Sequence, residues 1–273
     1  MSANHAAKLE SKFRHALNLH QLGKEQQAGK LYRSVLKARP NHPGALHYQG
    51  LLSHQQGDSE SAIRLIRRAI KSQPEYFDAW MNLGNVLQEQ ERFAEAEDCY
   101  RQVIELRPAE AAAHSNLSVS LRRQERKDEA IKSGRKAVEL DPEYLIAWFN
   151  LGNAYKVASE FKQAIDCYQR AIHLKPDFSL AYDSMCQSTF QLECRSVMGR
   201  LSFRKTKQAY EQWLACEPDN GLAKFMLQSI CGDEKLTRAP DDVVRGMFDQ
   251  FAPSFEQHLE SLAYTLPQKL SPM

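Results

Sequence analysis

Residues 77–110 read FDAWMNLGNVLQEQERFAEAEDCYRQVIELRPAE, and residues 145–178 read LIAWFNLGNAYKVASEFKQAIDCYQRAIHLKPDF. Laid one over the other, they share Trp80 with Trp148, Leu83 with Leu151, Gly84 with Gly152 and Leu87 with Tyr155. They go on to share Ala96 with Ala164, Tyr100 with Tyr168, Val103 with Ala171 and Pro108 with Pro176. Offsets of three and four mark one apolar face on each of two successive helices. Working outward, Pro40, Pro74, Pro108, Pro142 and Pro176 stand 34 residues apart and divide the chain into five units: 9–42, 43–76, 77–110, 111–144 and 145–178. A fixed period of this size means stacked copies of one small supersecondary element.

The residue types predict how each unit is built. Gly50, Gly84 and Gly152, with Ala16 and Ser118 in the other two units, fall where the first helix meets the second. Facing them is an alanine in every unit, Ala28, Ala62, Ala96, Ala130 and Ala164, so the two axes are expected to approach closely. The bulky aromatic near the unit's start is expected to wedge against the next unit. Each proline ends a second helix. The first unit carries Lys12 and His15 at the aromatic and leucine places, as an exposed end cap would. The second has Leu46 and Gln49 at those places. In the fourth unit Gly134 replaces the second-helix tyrosine, and looser packing is expected there.

Pro218 lies 42 residues after Pro176, so the sixth unit breaks the period. The extra length is placed at 193–202, between a long first helix and one ending near Ala215, with a further helix over 221–230. The organisation expected is therefore five regular units over 1–178, an irregular sixth plus a helix over 179–230, a linker at 231–240 and a helical tail at 241–273.

Composition narrows the function classes. Lys+Arg 36 against Asp+Glu 34 gives a net charge of +2, no basis for a global pull toward nucleic acid or membrane. No apolar stretch is long enough for a signal peptide or a membrane span, and a cytoplasmic protein is expected. The cysteines Cys99, Cys167, Cys186, Cys194, Cys216 and Cys231 include no CxxC pair and read as buried apolar thiols. The nine histidines form no HxxxH or HExxH pair, and His114, at the tryptophan place, reads as a packing residue. Neither a metal nor any other cofactor is expected, and no catalytic residue is assigned.

The recurring tryptophan, leucine, glycine, alanine, tyrosine and proline positions over 9–178 closely resemble the tetratricopeptide repeat. That resemblance implies an all-α right-handed superhelix of helix pairs whose first helices line a concave groove for a protein or extended peptide. Asn82, Asn116 and Asn150 occupy one place in three successive first helices, and Asn85 and Asn153 follow three residues later, with Val119 in the gap. The row resembles the asparagine ladder of O-linked N-acetylglucosamine transferases, which holds extended peptide backbone. A side-chain amide offers a donor and an acceptor together, matching a peptide's carbonyl and N–H without reading its side chains. The same asparagine before Leu-Gly is also common repeat consensus, and the sequence leaves both readings open. Arg122, Arg123 and Lys156 stand at the ends of first helices, where they face a groove and favour an acidic peptide, or simply lie in solvent. A chaperone-tail carboxylate clamp is absent, because Met81 and Phe149 stand where its lysine belongs.

After the linker, Ala239-Pro240-Asp241 through Leu262, with Met247-Phe248-Asp249 and Phe255-Glu256-Gln257-His258-Leu259, resembles the opening segment of bacterial class I methyltransferases that carry such an array. No two glycines are closer than six residues, so no GxG turn for S-adenosylmethionine exists and no catalysis is expected from this chain. The tail, with Phe248, Phe251 and Phe255, is expected to pack on the last repeat or to dock another domain. The leading expectation is a scaffold that binds a protein or peptide in its groove. The alternatives are the substrate-recognition half of a truncated or split methyltransferase, and an architectural scaffold that self-associates.

Overall fold

The computed structural model describes residues 3–196 and 203–231, all helices and turns, with no strand among them. The chain divides into two compact units at Lys175 and Pro176. The first holds five helix pairs: α1 (Ala3–Gln21) with α2 (Glu25–Ala38), α3 (Pro43–Gln55) with α4 (Ser59–Ser72), α5 (Phe77–Glu89) with α6 (Phe93–Leu106), α7 (Ala111–Arg123) with α8 (Lys127–Leu140), and α9 (Leu145–Val157) with α10 (Phe161–Leu174). The expected all-α stack of helix pairs is what the structure shows. Cys231, the first residue of the assigned linker, ends the last described helix, and the rest of the linker and the tail, including Phe248, Phe251 and Phe255, lie outside the described residues.

Two local devices repeat in register. Each second helix ends two residues before its proline, and the intervening residues Arg39, Gln73, Arg107, Asp141 and Lys175 have φ between −146° and −137° and ψ between 84° and 96°. That extended backbone is what a following proline ring forces on its neighbour. Each first helix ends on a left-handed residue: Gly23 at φ 69°, Gly57 at 87°, Glu91 at 56°, Glu125 at 61° and Ser159 at 63°. The next N–H turns back to the helix, as in Asp58 N to Ser53 O at 2.9 Å and Arg92 N to Leu87 O at 2.9 Å. Only glycine takes this conformation without steric cost, so three units hold it against their sequence.

The core is a row of equivalent residues. Tyr32, Ile66, Tyr100 and Tyr168 of the second helices are fully buried, as are all five facing alanines. Gly50 abuts Ile66 and the carbonyl of its facing Ala62, while Gly84 and Gly152 abut the tyrosine edges. A Cβ at Gly84 would sit 2.7 Å from Tyr100 Cε1, and one at Gly152 would sit 2.6 Å from Tyr168 Cε1. The missing side chain is the space the next helix's ring occupies. Nor is the tryptophan only a wedge: Trp80 and Trp148 donate from Nε1 to the carbonyls of Pro74 and Pro142, each at 2.8 Å. His114 makes the equivalent contact, Nε2 to Pro108 O at 3.1 Å, which pins the turn behind it.

Packing at Gly134 is not loose. A Cβ there would lie 3.0 Å from Leu151 Cδ1 and 3.1 Å from Ser118 Oγ, so α7 and α9 have closed over the missing ring. The open space of this unit lies instead beside His114, a cleft of about 560 Å³ between α6, α7 and α8. The equivalent cleft beside Trp80 is about 350 Å³, as the smaller imidazole accounts for. At the amino-terminal end, His15 is exposed and Lys12 reaches Ser34 Oγ at 3.1 Å, so this face is polar as a cap requires.

Between units three and four a buried carboxylate ties the turns together. Glu97 accepts from Arg101 at 2.9 Å, Gln124 at 2.9 Å and Arg126 at 2.6 Å while only 7% exposed. Burial raises its pKa, but the three hydrogen bonds outweigh it and hold the carboxyl below the usual value.

The second unit contains α11 (Ser179–Ser196), α12 (Arg204–Cys216) and α13 (Gly221–Cys231). Glu193 of α11 caps α12 from a distance, accepting from Lys205 N and Thr206 N at 2.9 Å and from Thr206 Oγ1 at 2.6 Å. These bonds satisfy helix-end donors that have no intrahelical partner. Tyr182 and Tyr210 stack on Trp213 to form the small core.

Candidate functional site

The five candidate asparagines all lie on the first helices α5, α7 and α9, on the stripe where these helices run side by side. The Nδ2 donors of Asn82, Asn116 and Asn150 are already committed. Asn82 Nδ2 lies 2.9 Å from His47 Nε2, Asn116 Nδ2 donates to Asn85 Oδ1 at 3.0 Å, and Asn150 Nδ2 donates to Ser115 Oγ at 2.9 Å. Asn116 Nδ2 also meets Met81 Sδ at 3.9 Å. Each amide therefore reaches back to the preceding unit, to the residue 35 positions earlier: His47, Met81 or Ser115.

This corrects the simple picture of an amide offering both halves. The donor half stitches one unit to the last. Among the described residues, the Oδ1 atoms of Asn82, Asn116 and Asn150 accept no hydrogen bond, and none is among the buried atoms left without a partner. They are acceptors that are not fully buried, one per unit. The second row is the complement. Asn85 Oδ1 accepts from Tyr100 Oη at 2.9 Å and Asn153 Oδ1 from Tyr168 Oη at 2.9 Å, which leaves their Nδ2 groups as donors.

The cationic candidates separate. Arg123 is paired with Glu91 at 2.8 Å and lies over the Phe93 ring at 4.8 Å, so it serves the α5–α6 turn and its charge is answered within the chain. Lys156, half-buried on α9, also has an interaction within the chain. Arg122 is different: its Nε is buried without a hydrogen-bond partner. Burial, and then the charge of Arg123, holds its pKa below the ordinary arginine value.

The residue that sequence reasoning missed is His47. It is 1% exposed, with Nδ1 3.0 Å from Tyr76 Oη and Nε2 facing Asn82. A neutral ring protonated on Nδ1 satisfies both contacts, donating to the tyrosine and accepting from the amide. Its signal was positional: His47 is the register partner of Met81 and Ser115, a column that single-helix periodicity does not single out.

Among the described residues no group of His, Cys, Asp and Glu is arranged to hold a metal ion. Cys99, Cys167 and Cys186 are buried, and burial pushes the first two thiols up to about 12, which makes them poor nucleophiles. The expectation of burial fails for Cys194, Cys216 and Cys231, which are exposed. No helix among the described residues is long and apolar enough to cross a membrane. The segment that resembles a methyltransferase opening, 239–262, lies outside the described residues.

The tetratricopeptide repeat profile matches residues 13–75, 54–97 and 81–144, and a second profile of the same description matches 146–178. No curated protein matches the chain. Among solved structures, PilF of Pseudomonas aeruginosa is 16% identical, covering 83% of this chain and 99% of its own, with a TM-score of 0.65. YrrB, described as a tetratricopeptide repeat protein with an unusual peptide-binding site, is 22% identical over 63% of this chain and 89% of its own, with a TM-score of 0.56. MamA of Desulfovibrio magneticus is 22% identical over 63% of this chain and 97% of its own, with a TM-score of 0.57. At these identities the likeness is one of fold. The repeat matches span more than half of the sequence, and the chain belongs to the tetratricopeptide repeat family.

Proposed function

We propose that the face built from α5, α7 and α9 holds an extended polypeptide by its backbone. Asn82, Asn116 and Asn150 accept backbone N–H groups through Oδ1, and Asn85 and Asn153 meet carbonyls through Nδ2. The observation that carries this reading is the row of three amide oxygens, unbonded among the described residues and not fully buried, each oriented by a bond to the unit before it. Packed helices lie about 8–10 Å apart and an extended chain advances about 3.3 Å per residue, so one rung falls near every third peptide residue. YrrB supports the reading only as a fold relative described with a peptide-binding site.

Alanine at Asn82, Asn116 and Asn150 is expected to weaken binding of a display-selected peptide while circular dichroism stays unchanged. The cleaner perturbation is on the peptide. N-methylation at every third residue should abolish binding in one phase and leave it intact in the other two. Equal effects in all three phases would refute the ladder. The resemblance at 239–262 favours a second reading, in which this face presents a protein substrate to a methyltransferase domain. In that case the selected peptide becomes methylated when such a domain is supplied with S-adenosylmethionine.

A further inference from the structure

Among the described residues, Arg122 is a cation without an answer. The arginines around it are paired: Arg92 with Glu60 and Glu95, Arg101 and Arg126 with Glu97, Arg123 with Glu91, and Arg170 with Glu143. Among the described residues the Arg122 side chain has neither an ion pair nor a hydrogen bond, yet its Nε is shut away from water. The groups that act on it electrostatically are Arg123, which repels it, and the Tyr168 hydroxyl. A guanidinium carries five donors in a fixed fork, and leaving one of them, the Nε–H, desolvated and unbonded costs free energy that the fold does not recover.

Its place in the register says what would recover it. Arg122 follows Ser115 and Val119 at offsets of seven and three, on the stripe of α7 that looks toward α9. It lies six residues beyond Asn116, about 9 Å along the helix axis. That is too far for a backbone atom held at Asn116, and within reach of a side chain extending about 5 Å from such a backbone toward an equally long arginine. Val119 stands between them where the neighbouring units have Asn85 and Asn153. The gap in the second row thus removes a polar competitor and supplies an apolar surface for the methylene stem of an acidic side chain.

We infer that Arg122 is the anion-recognition residue of this face and that the bound segment carries a carboxylate side chain over the fourth unit. The inference rests on the backbone-binding reading above and adds selectivity to it. A planar carboxylate matches the guanidinium fork and one unit of charge. A phosphate dianion calls for more than the single unanswered cation found here.

The test uses the full chain and three capped decapeptides of serine, threonine and alanine, with glutamate, glutamine or phosphoserine at one central position. Binding is read by titration of amide and arginine Nε–H resonances. The glutamate peptide is expected to bind about tenfold more tightly than the glutamine peptide, to shift the Arg122 Nε–H and the Asn116 amide, and to lose its advantage in Arg122→Gln. Arg122→Gln should also raise the thermal midpoint, since it removes a half-buried charge whose Nε–H has no hydrogen-bond partner. This outcome separates a binding residue from a structural one. Equal affinities of the glutamate and glutamine peptides, with the asparagine amides still shifting, would overturn this inference alone. A preference that persists in Arg122→Gln, or tighter binding of the phosphoserine peptide, would also overturn it. No shift from any of the three overturns it together with the backbone reading.

Discussion

Acidification should weaken this fold through His47, and the size of the effect follows from its surroundings. The ring is almost wholly buried between Tyr76 and Asn82, against the Tyr48 ring at 4.8 Å. Burial, with a smaller contribution from His20, lowers its pKa from 6.5 to about 4. Because the folded value lies below the unfolded one, the unfolded chain binds more protons between them. The stability linked to His47 is therefore complete above pH 6.5 and is lost as pH falls toward 4. For a buried group the difference corresponds to about 3 kcal/mol, a large share of a domain's stability. Protonation also puts an N–H at Nε2, facing the Nδ2 donors of Asn82. The amide must then turn its oxygen inward, which on the proposed backbone-binding reading withdraws the first rung from the peptide.

Urea denaturation at pH 7, 6, 5 and 4.5 measures the stability term. His47→Met, which installs the residue found at the equivalent place in the next unit, is the control. Wild type should lose more stability than His47→Met over this range, by up to about 2–3 kcal/mol. Peptide affinity should fall in the same window for wild type and be insensitive in the variant. His42, whose pKa burial also lowers, contributes equally to both proteins. Parallel curves for the two would refute the assignment of a buried neutral imidazole.

Other perturbations test the packing and the turns. Glu125→Gly relieves a left-handed residue at φ 61° and should stabilise by about 0.5–1 kcal/mol in thermal or urea unfolding. Gly84→Ala places a methyl 2.7 Å from the Tyr100 ring and should destabilise by about 1–3 kcal/mol in the same assay. Glu97→Gln removes the charge that Arg101 and Arg126 share, at a cost of about 1–3 kcal/mol at pH 7. The loss should shrink as pH falls through the carboxyl's lowered pKa, because the wild-type carboxylate is then protonated too. Alanine in place of Val119 should leave stability within about 1 kcal/mol, since the side chain is only half-buried.

The period was legible because it is written in residues with few alternatives. A proline two positions past a helix dictates extended backbone before it, and a glycine opposite a buried tyrosine has no substitute of equal volume. The left-handed turn was less legible, because Gly23 and Gly57 announce it while Glu91, Glu125 and Ser159 do not. In those units neighbouring packing overrides local preference. Gly134 misled for a related reason. Deletion of a ring predicts a void only if the backbones stay where they are, and here α9 moved in, with Leu151 over the glycine. The asparagine row was visible as positions, but the fate of each amide was not. Donor and acceptor are distributed by contacts 35 residues away, and no pattern within one helix encodes them.

Those contacts also explain why a structural role for the asparagines does not compete with a binding one. An amide free to rotate would present its oxygen and its NH₂ group in turn, and a ligand would have to fix it at an entropic cost. Here the bond from Nδ2 to the preceding unit fixes the rotamer during folding, so the oxygen is already aimed when a peptide arrives. The partner differs at each rung: an imidazole nitrogen for Asn82, the Asn85 oxygen for Asn116, and a serine hydroxyl for Asn150. Orientation is thus common to the row while its strength is set locally. Swapping a partner changes the rigidity of one rung without touching the acceptor proposed to meet the ligand. Ser115→Ala should accordingly weaken peptide binding at Asn150 although Ser115 is itself fully buried. An unchanged affinity, with the Asn150 side-chain amide showing new mobility in relaxation measurements, would mean that the pre-set oxygen contributes nothing.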